Sequence, residues 1–194
     1  MSVAYVLAFA AAAASQPDDL SIQAVHNFGA CVVAQTPQGA REALALDYRT
    51  AEYQRKLRAV GKGHGRCVTP WGLLRSSRLL VAGAMAEALL KTDVREAELA
   101  KRLAFDAARP PIEARDATEA MALCTVLHGS AATADLLGTE PTSPEEKRAE
   151  EALTPILKQC LASNTELRLN RPALRSLLAL AAWRIVSTSG SPAT

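Results

Sequence analysis

The chain has 194 residues, 49% of them hydrophobic but only 4% aromatic, so its apolar content is aliphatic and rich in alanine. That balance favours helices over sheets, since strands draw on β-branched and aromatic side chains, and it supplies too much apolar surface for a disordered chain. A net charge of +2 gives no basis for nucleic-acid binding, and ten Gly with ten Pro exclude collagen-like and low-complexity sequences.

Residues 1–17 carry no charged side chain, and Val3–Ala14 is an unbroken apolar run. A spanning helix needs about 20 residues, so this run is too short to cross a bilayer. It has the pattern of the h-region of a secretory signal, with Ala12-x-Ala14 placing cleavage before Ser15. No Lys or Arg precedes the run, which departs from that pattern; the competing reading is a buried N-terminal helix of a cytoplasmic protein. Residues 1–14 are therefore read as a signal peptide, and 15–194 as one helical domain in the periplasm or outside the cell. Leu79–Leu90 and Leu174–Val186 are the strongest apolar stretches that follow. The first is short and holds Glu87; the second holds Arg175 and Arg184. Both read as core helices, with no stable membrane insertion.

Helix signals follow in order. Asp18 or Asp19 caps a helix to about Gln35, with Val25, Phe28 and Val32 on one face. Thr36-Pro37 stops it and opens a short helix to Leu46. Thr50 caps a third, with Tyr53, Leu57 and Val60 inward, which the glycines from Gly61 to Gly65 break. A long apolar helix is expected over 71–90. Asp93-x-x-Glu96 resembles a capping box opening a linker helix that ends near Pro110-Pro111, and Asp116-x-x-Glu119 opens the next helix, through Cys124 to His128 with Gly129 as its C-cap. Ser143-Pro144-Glu145-Glu146 combines N-cap, Pro at the first helical position and Glu in the first turn. Asn170–Pro172 opens the last helix, ending by Ser189. No segment alternates with period two, so the fold class is all-α.

The four cysteines sit at 31, 67, 124 and 160, two pairs with the same spacing. A shift of 93 residues places Cys31 on Cys124 and Cys67 on Cys160; beyond them a shift of 96 places Arg75 on Arg171 and Leu89-Leu90 on Ile185-Val186. Equal spacing, with the same order of cap, short helix, charged helix, cysteine and apolar helix, reads as a tandem duplication. One unit is about 18–91, the other about 111–187, and a linker helix over 92–110 joins them. A duplicated unit repeats its own bridge, so Cys31–Cys67 and Cys124–Cys160 are the expected disulfides, as suits an exported protein. Without export, four free cysteines on apolar helix faces is the competing reading. The architecture is a helical bundle of two pseudo-equivalent, disulfide-linked units sharing a core.

The segment Gly61-Lys62-Gly63-His64-Gly65-Arg66-Cys67 offers backbone N–H groups and basic side chains to an anion, although the P-loop order is absent. Seven basic residues (55, 56, 58, 62, 66, 75, 78) against Glu52 alone make 52–78 strongly basic, whereas 135–151 is acidic. The candidate binding residues are Arg55, Arg58, Lys62, His64 and Arg66, facing an anionic envelope component or an acidic protein; the bland alternative is two solvated helix faces, and another is that the two segments face each other. His26, His64 and His128 form no i, i+4 pair and no C-x-x-C pair occurs, so neither metal nor cofactor is expected. Glu145, Glu146, Glu150 and Glu151 are assigned to capping and to neutralisation by Lys147 and Arg148; Arg75 and Arg171 to bonds with loop carbonyls. The function expected is binding or structural interaction, without catalysis. The alternative is an envelope enzyme using His64 as acid or base, with Lys62 and Arg66 holding an anionic substrate.

Overall fold

The computed structural model describes residues 19–62, 65–67, 76–162 and 169–189. Among them the chain forms nine α-helices and a 3₁₀ turn, with no strand: α1 (Asp19–Gln35), α2 (Pro37–Ala45), α3 (Ala51–Lys62), the turn Gly65–Cys67, α4 (Arg78–Asp93), α5 (Glu96–Leu103), α6 (Ala117–His128), α7 (Ser130–Gly138), α8 (Pro144–Cys160) and α9 (Arg171–Ser189). Residues 1–14, where a signal peptide is expected, and His64, Trp71 and Arg75 lie outside the described residues.

α4 and α9 form the centre. They are apolar around most of their circumference, and α4 is sandwiched between α1 and α9, with α6 on the far side of α9. Small residues permit this. A Cβ added at Gly83 would sit 2.4 Å from the Cβ of Ser176 on α9, and one at Gly29 of α1 would sit 2.6 Å from the Cβ of Ala84. Glycine is required at both points because the backbones approach too closely for any side chain. Around this pair Met85, Leu89, Leu90, Leu178 and Ile185 are fully buried, and α5, α7 and α8 close the second half.

Both expected disulfides are present, Cys31–Cys67 with Cα atoms 5.6 Å apart and Cys124–Cys160 with Cα atoms 5.7 Å apart. The first ties α1 to the 3₁₀ turn; the second ties α6 to the last residue of α8. The helix starts at Asp116 and Ser143 are capped as expected: Asp116 Oδ1 accepts the Glu119 N–H at 2.9 Å, and Ser143 Oγ accepts the Glu146 N–H at 3.1 Å.

Three boundaries differ from expectation. α4 begins at Arg78, where Ser77 Oγ accepts the Leu80 N–H at 3.3 Å, and runs on to Asp93. Asp93 is therefore the last residue of α4 and no cap for α5; its carboxylate binds Arg41 of α2 at 2.5 Å. The linker helix shrinks to Glu96–Leu103: Leu99 and Leu103 are its only buried residues, and residues 105–111 after it are largely exposed and so have no face to bury. Finally, α3 passes through Gly61 to Lys62 and breaks only after it.

Candidate functional site

Arg55, Arg58 and Lys62 follow one another at spacings of three and four on α3, and all three are exposed. Their opposite face, Tyr53 and Leu57, is buried. Arg66 continues the basic run into the 3₁₀ turn, exposed, next to the bridged Cys67. None of these four makes an ion pair with a described residue. Lys56, on the same helix, is different: it binds Glu42 of α2 at 2.6 Å. His64 lies outside the described residues, so the glycine cradle and the proposed acid–base role have no geometry here.

The acidic segment does not face this stripe, since α8 packs on α6 and α7 while α3 packs on α2. Its charges are answered locally, and not as the sequence implied. Arg148 does bind Glu145 at 2.5 Å, but Glu146 and Glu150 turn inward. Arg171 binds them both, Nε to Glu150 at 2.5 Å and Nη2 to Glu146 at 3.3 Å, and so bonds carboxylates where loop carbonyls were expected.

Behind them lies a charge cluster that the sequence reading missed. Arg175 of α9 is 1% exposed. Its Nε and Nη2 donate to Glu87 of α4 at 2.9 and 2.7 Å, its Nη1 to Glu146 at 3.0 Å, and the remaining donors reach the hydroxyl and carbonyl of Thr139 at 3.0 and 2.8 Å. All five guanidinium N–H groups are thereby used. Glu146 Oε2 also accepts the N–H of Thr142, which takes a left-handed φ of 71°. Burial opposes ionisation of Glu87, but the Arg175 pair outweighs it and holds the carboxyl below its ordinary range. At Glu150 burial prevails and pushes the carboxyl up. Burial likewise lowers His26, although Glu87 stands 3.6 Å from its Nδ1. Glu87 also meets Lys91 Nζ at 3.0 Å, and Glu150 Oε1 is buried without a hydrogen-bond partner among the described residues; the cluster ties α4, α8 and α9 together.

A cleft of about 660 Å³ opens on the other side of α9. Leu44, Leu79, Leu180, Tyr53 and Trp183 form its apolar wall. At one end Tyr48 Oη donates to Asp116, and the Arg115 guanidinium lies 5.6 Å from the Tyr48 ring centre. Glu119 accepts the Arg115 N–H at 2.6 Å and stands 2.5 Å from Nη1 of Arg184. Burial, then the bond to Asp116, pushes the Tyr48 hydroxyl far above its ordinary range. Burial raises Asp116, but the Tyr48 hydroxyl and the N–H groups of Glu119 and Thr118 outweigh it and keep the carboxyl low.

The chain matches no protein-family model, no curated protein and no solved structure. Its function has to be read from this geometry. No group of three or more His, Cys, Asp or Glu residues suited to a metal ion occurs among the described residues, and no single helix there is long and apolar enough to cross a membrane.

Proposed function

We propose that the protein is exported to an oxidising compartment, the periplasm or the cell exterior, and acts there by binding, engaging an anionic envelope component or an acidic protein through the α3 stripe. The observation that carries this reading is that Arg55, Arg58, Lys62 and Arg66 are exposed and have no ion-pair partner among the described residues. Lys56, Arg41, Arg171 and Arg175 do pair with carboxylates, whereas Arg78, Lys101, Arg102, Lys147 and Lys158 also lack an ion pair among the described residues; what sets the α3 cations apart is their succession along one helix and the turn after it. Exposed cations following one another on α3 and in the turn at Cys67, against Glu52 alone on that helix, give a strongly positive local field. Both bridges support the compartment, since structural disulfides persist in oxidising surroundings.

We also read the bundle as two copies of one helical unit. With Cys31 placed on Cys124, the buried Phe28, Val32, Val33, Ala40, Ala43 and Leu44 fall on Met121, Thr125, Val126, Thr133, Leu136 and Leu137, all of them buried. With Leu89 placed on Ile185, the buried Ala82, Met85, Ala86, Glu87 and Leu90 fall on Leu178, Ala181, Ala182, Trp183 and Val186, again all buried. The order of helices is the same in both. The enzyme alternative based on His64 has no observation in its favour.

The test is sedimentation of the full chain with phosphatidylglycerol vesicles, and in parallel its retention on polyglutamate, at rising salt. Binding to one of them that weakens with salt and with the K62Q/R66Q double substitution is the expected result. Binding indifferent to both, or to neither probe at low salt, removes the stripe as the site.

A further inference from the structure

The cleft beside α9 occupies a telling position if the two units are equivalent, and this part of the argument rests on that reading. The cluster residues Arg175, Glu87, Glu146 and His26 then correspond to Leu79, Trp183, Tyr53 and Glu119. All four of these line the cleft. In one half the position is filled by a guanidinium and the carboxylates around it. In the other, apolar side chains line the wall and about 660 Å³ stays open. That volume lies within the range of about 300–1,000 Å³ common for small-molecule sites, and its make-up fits too, with apolar walls and a few convergent polar groups.

The charges in the cleft say what could fill it. Three arginines, Arg78, Arg115 and Arg184, line it against two carboxylates, Asp116 and Glu119. Glu119 is engaged by the Arg115 N–H and by Arg184, and Asp116 by the Tyr48 hydroxyl and the Glu119 N–H. Neither carboxylate is left to hold a cation. Arg78, in the first turn of α4 beside Ser77, has no ion-pair partner among the described residues. Nη1 of Arg184 is buried and, despite its 2.5 Å contact with Glu119, lacks a hydrogen-bond acceptor in line with its N–H groups. The surplus is one positive charge at the edge of an apolar space.

We propose that the cleft binds a single-chain amphipathic carboxylate, its hydrocarbon lying against Leu79, Leu180 and Trp183 and its head group at Arg78. This site is separate from the α3 stripe. Neutralising the stripe leaves it unchanged, so the two proposals fail independently.

Trp183 reports on the site. In a Trp71→Phe background it is the sole tryptophan, and decanoate titrated into the full chain is expected to change its emission saturably. Decanol and decyltrimethylammonium are expected to bind about tenfold more weakly or worse, because they lose the charge-assisted bond. Arg78→Ala should bring decanoate down to the level of decanol, and Leu180→Phe should abolish binding by filling the cleft while leaving the thermal midpoint near that of the parent. Calorimetric titration of the unmodified chain checks the same order without the reporter. No saturable binding of decanoate, equal binding of the ammonium compound, or full binding by the Leu180→Phe chain would each overturn the proposal.

Discussion

Arg175 and Arg58 are the same side chain in opposite circumstances. Arg175 is buried with every donor engaged by Glu87, Glu146 and Thr139; Arg58 is exposed on α3 with no carboxylate partner among the described residues. A buried guanidinium is tolerated only when its bonds make up for lost hydration, so its partners are fixed and its role is to hold α4, α8 and α9 in register. An exposed and unpaired one adds almost nothing to folding and stays available. The contrast separates arginines that build the molecule from arginines that can meet something outside it.

The largest effect should come from breaking the buried side. Arg175→Met leaves Glu87 and Glu146 buried without their partner and should cost about 3–5 kcal/mol, read from the urea midpoint. A loss under about 1 kcal/mol would mean that the cluster relaxes around the gap. Removing the second bridge with the C124A/C160A pair should cost up to about 4 kcal/mol by the loop-entropy estimate, with the helical circular dichroism retained. Gly83→Ala forces a Cβ against Ser176 and should cost about 1–3 kcal/mol, with α4 and α9 pushed apart. On the exposed side, the R55Q/R58Q/K62Q triple substitution should move stability by no more than about 0.5 kcal/mol per site while removing the salt-sensitive binding.

The smallest effect is on pH dependence. Burial holds His26 below its ordinary value of 6.5, so the fold keeps it neutral. As pH falls through 6.5 the unfolded chain takes up a proton that the folded chain resists, and stability declines. Glu87, held below 4.5, contributes stability that is present above 4.5 and is lost as pH falls through its lower folded value. The thermal midpoint should therefore decline in two stages on acidification. His26→Asn should flatten the first and leave the second. A first stage of unchanged slope in that variant would assign it to other groups.

Much of the fold was legible locally. Ser143-Pro144, Asp116 and the paired cysteine spacings are short-range signals, and the structure carries the caps and bridges they imply. Asp93-x-x-Glu96 misled because the same carboxylate had a distant partner, Arg41, that a local pattern does not contain. The charge cluster was out of reach for the same reason: Glu87 and Arg175 are 88 residues apart. A signal was nevertheless present. One acid stood in the apolar run of α4 and two arginines in that of α9, and lone opposite charges on two core helices call for each other. The exposed stripe could be read directly, since spacings of three and four on a helix with an apolar opposite face need no tertiary information. The cleft, formed by α2, α3, α4, α6 and α9 together, left no mark in any single segment.

The most direct test is modification of the native full chain with phenylglyoxal, followed by peptide mass mapping, with and without the anionic partner or vesicles that sedimentation or polyglutamate retention identifies. The account predicts fast modification at Arg55, Arg58 and Arg66, none at Arg175 until the chain unfolds, and protection of the first three when the partner is present. Reaction at Arg175 as fast as at Arg58, or stripe arginines that the bound partner leaves equally reactive, would contradict it.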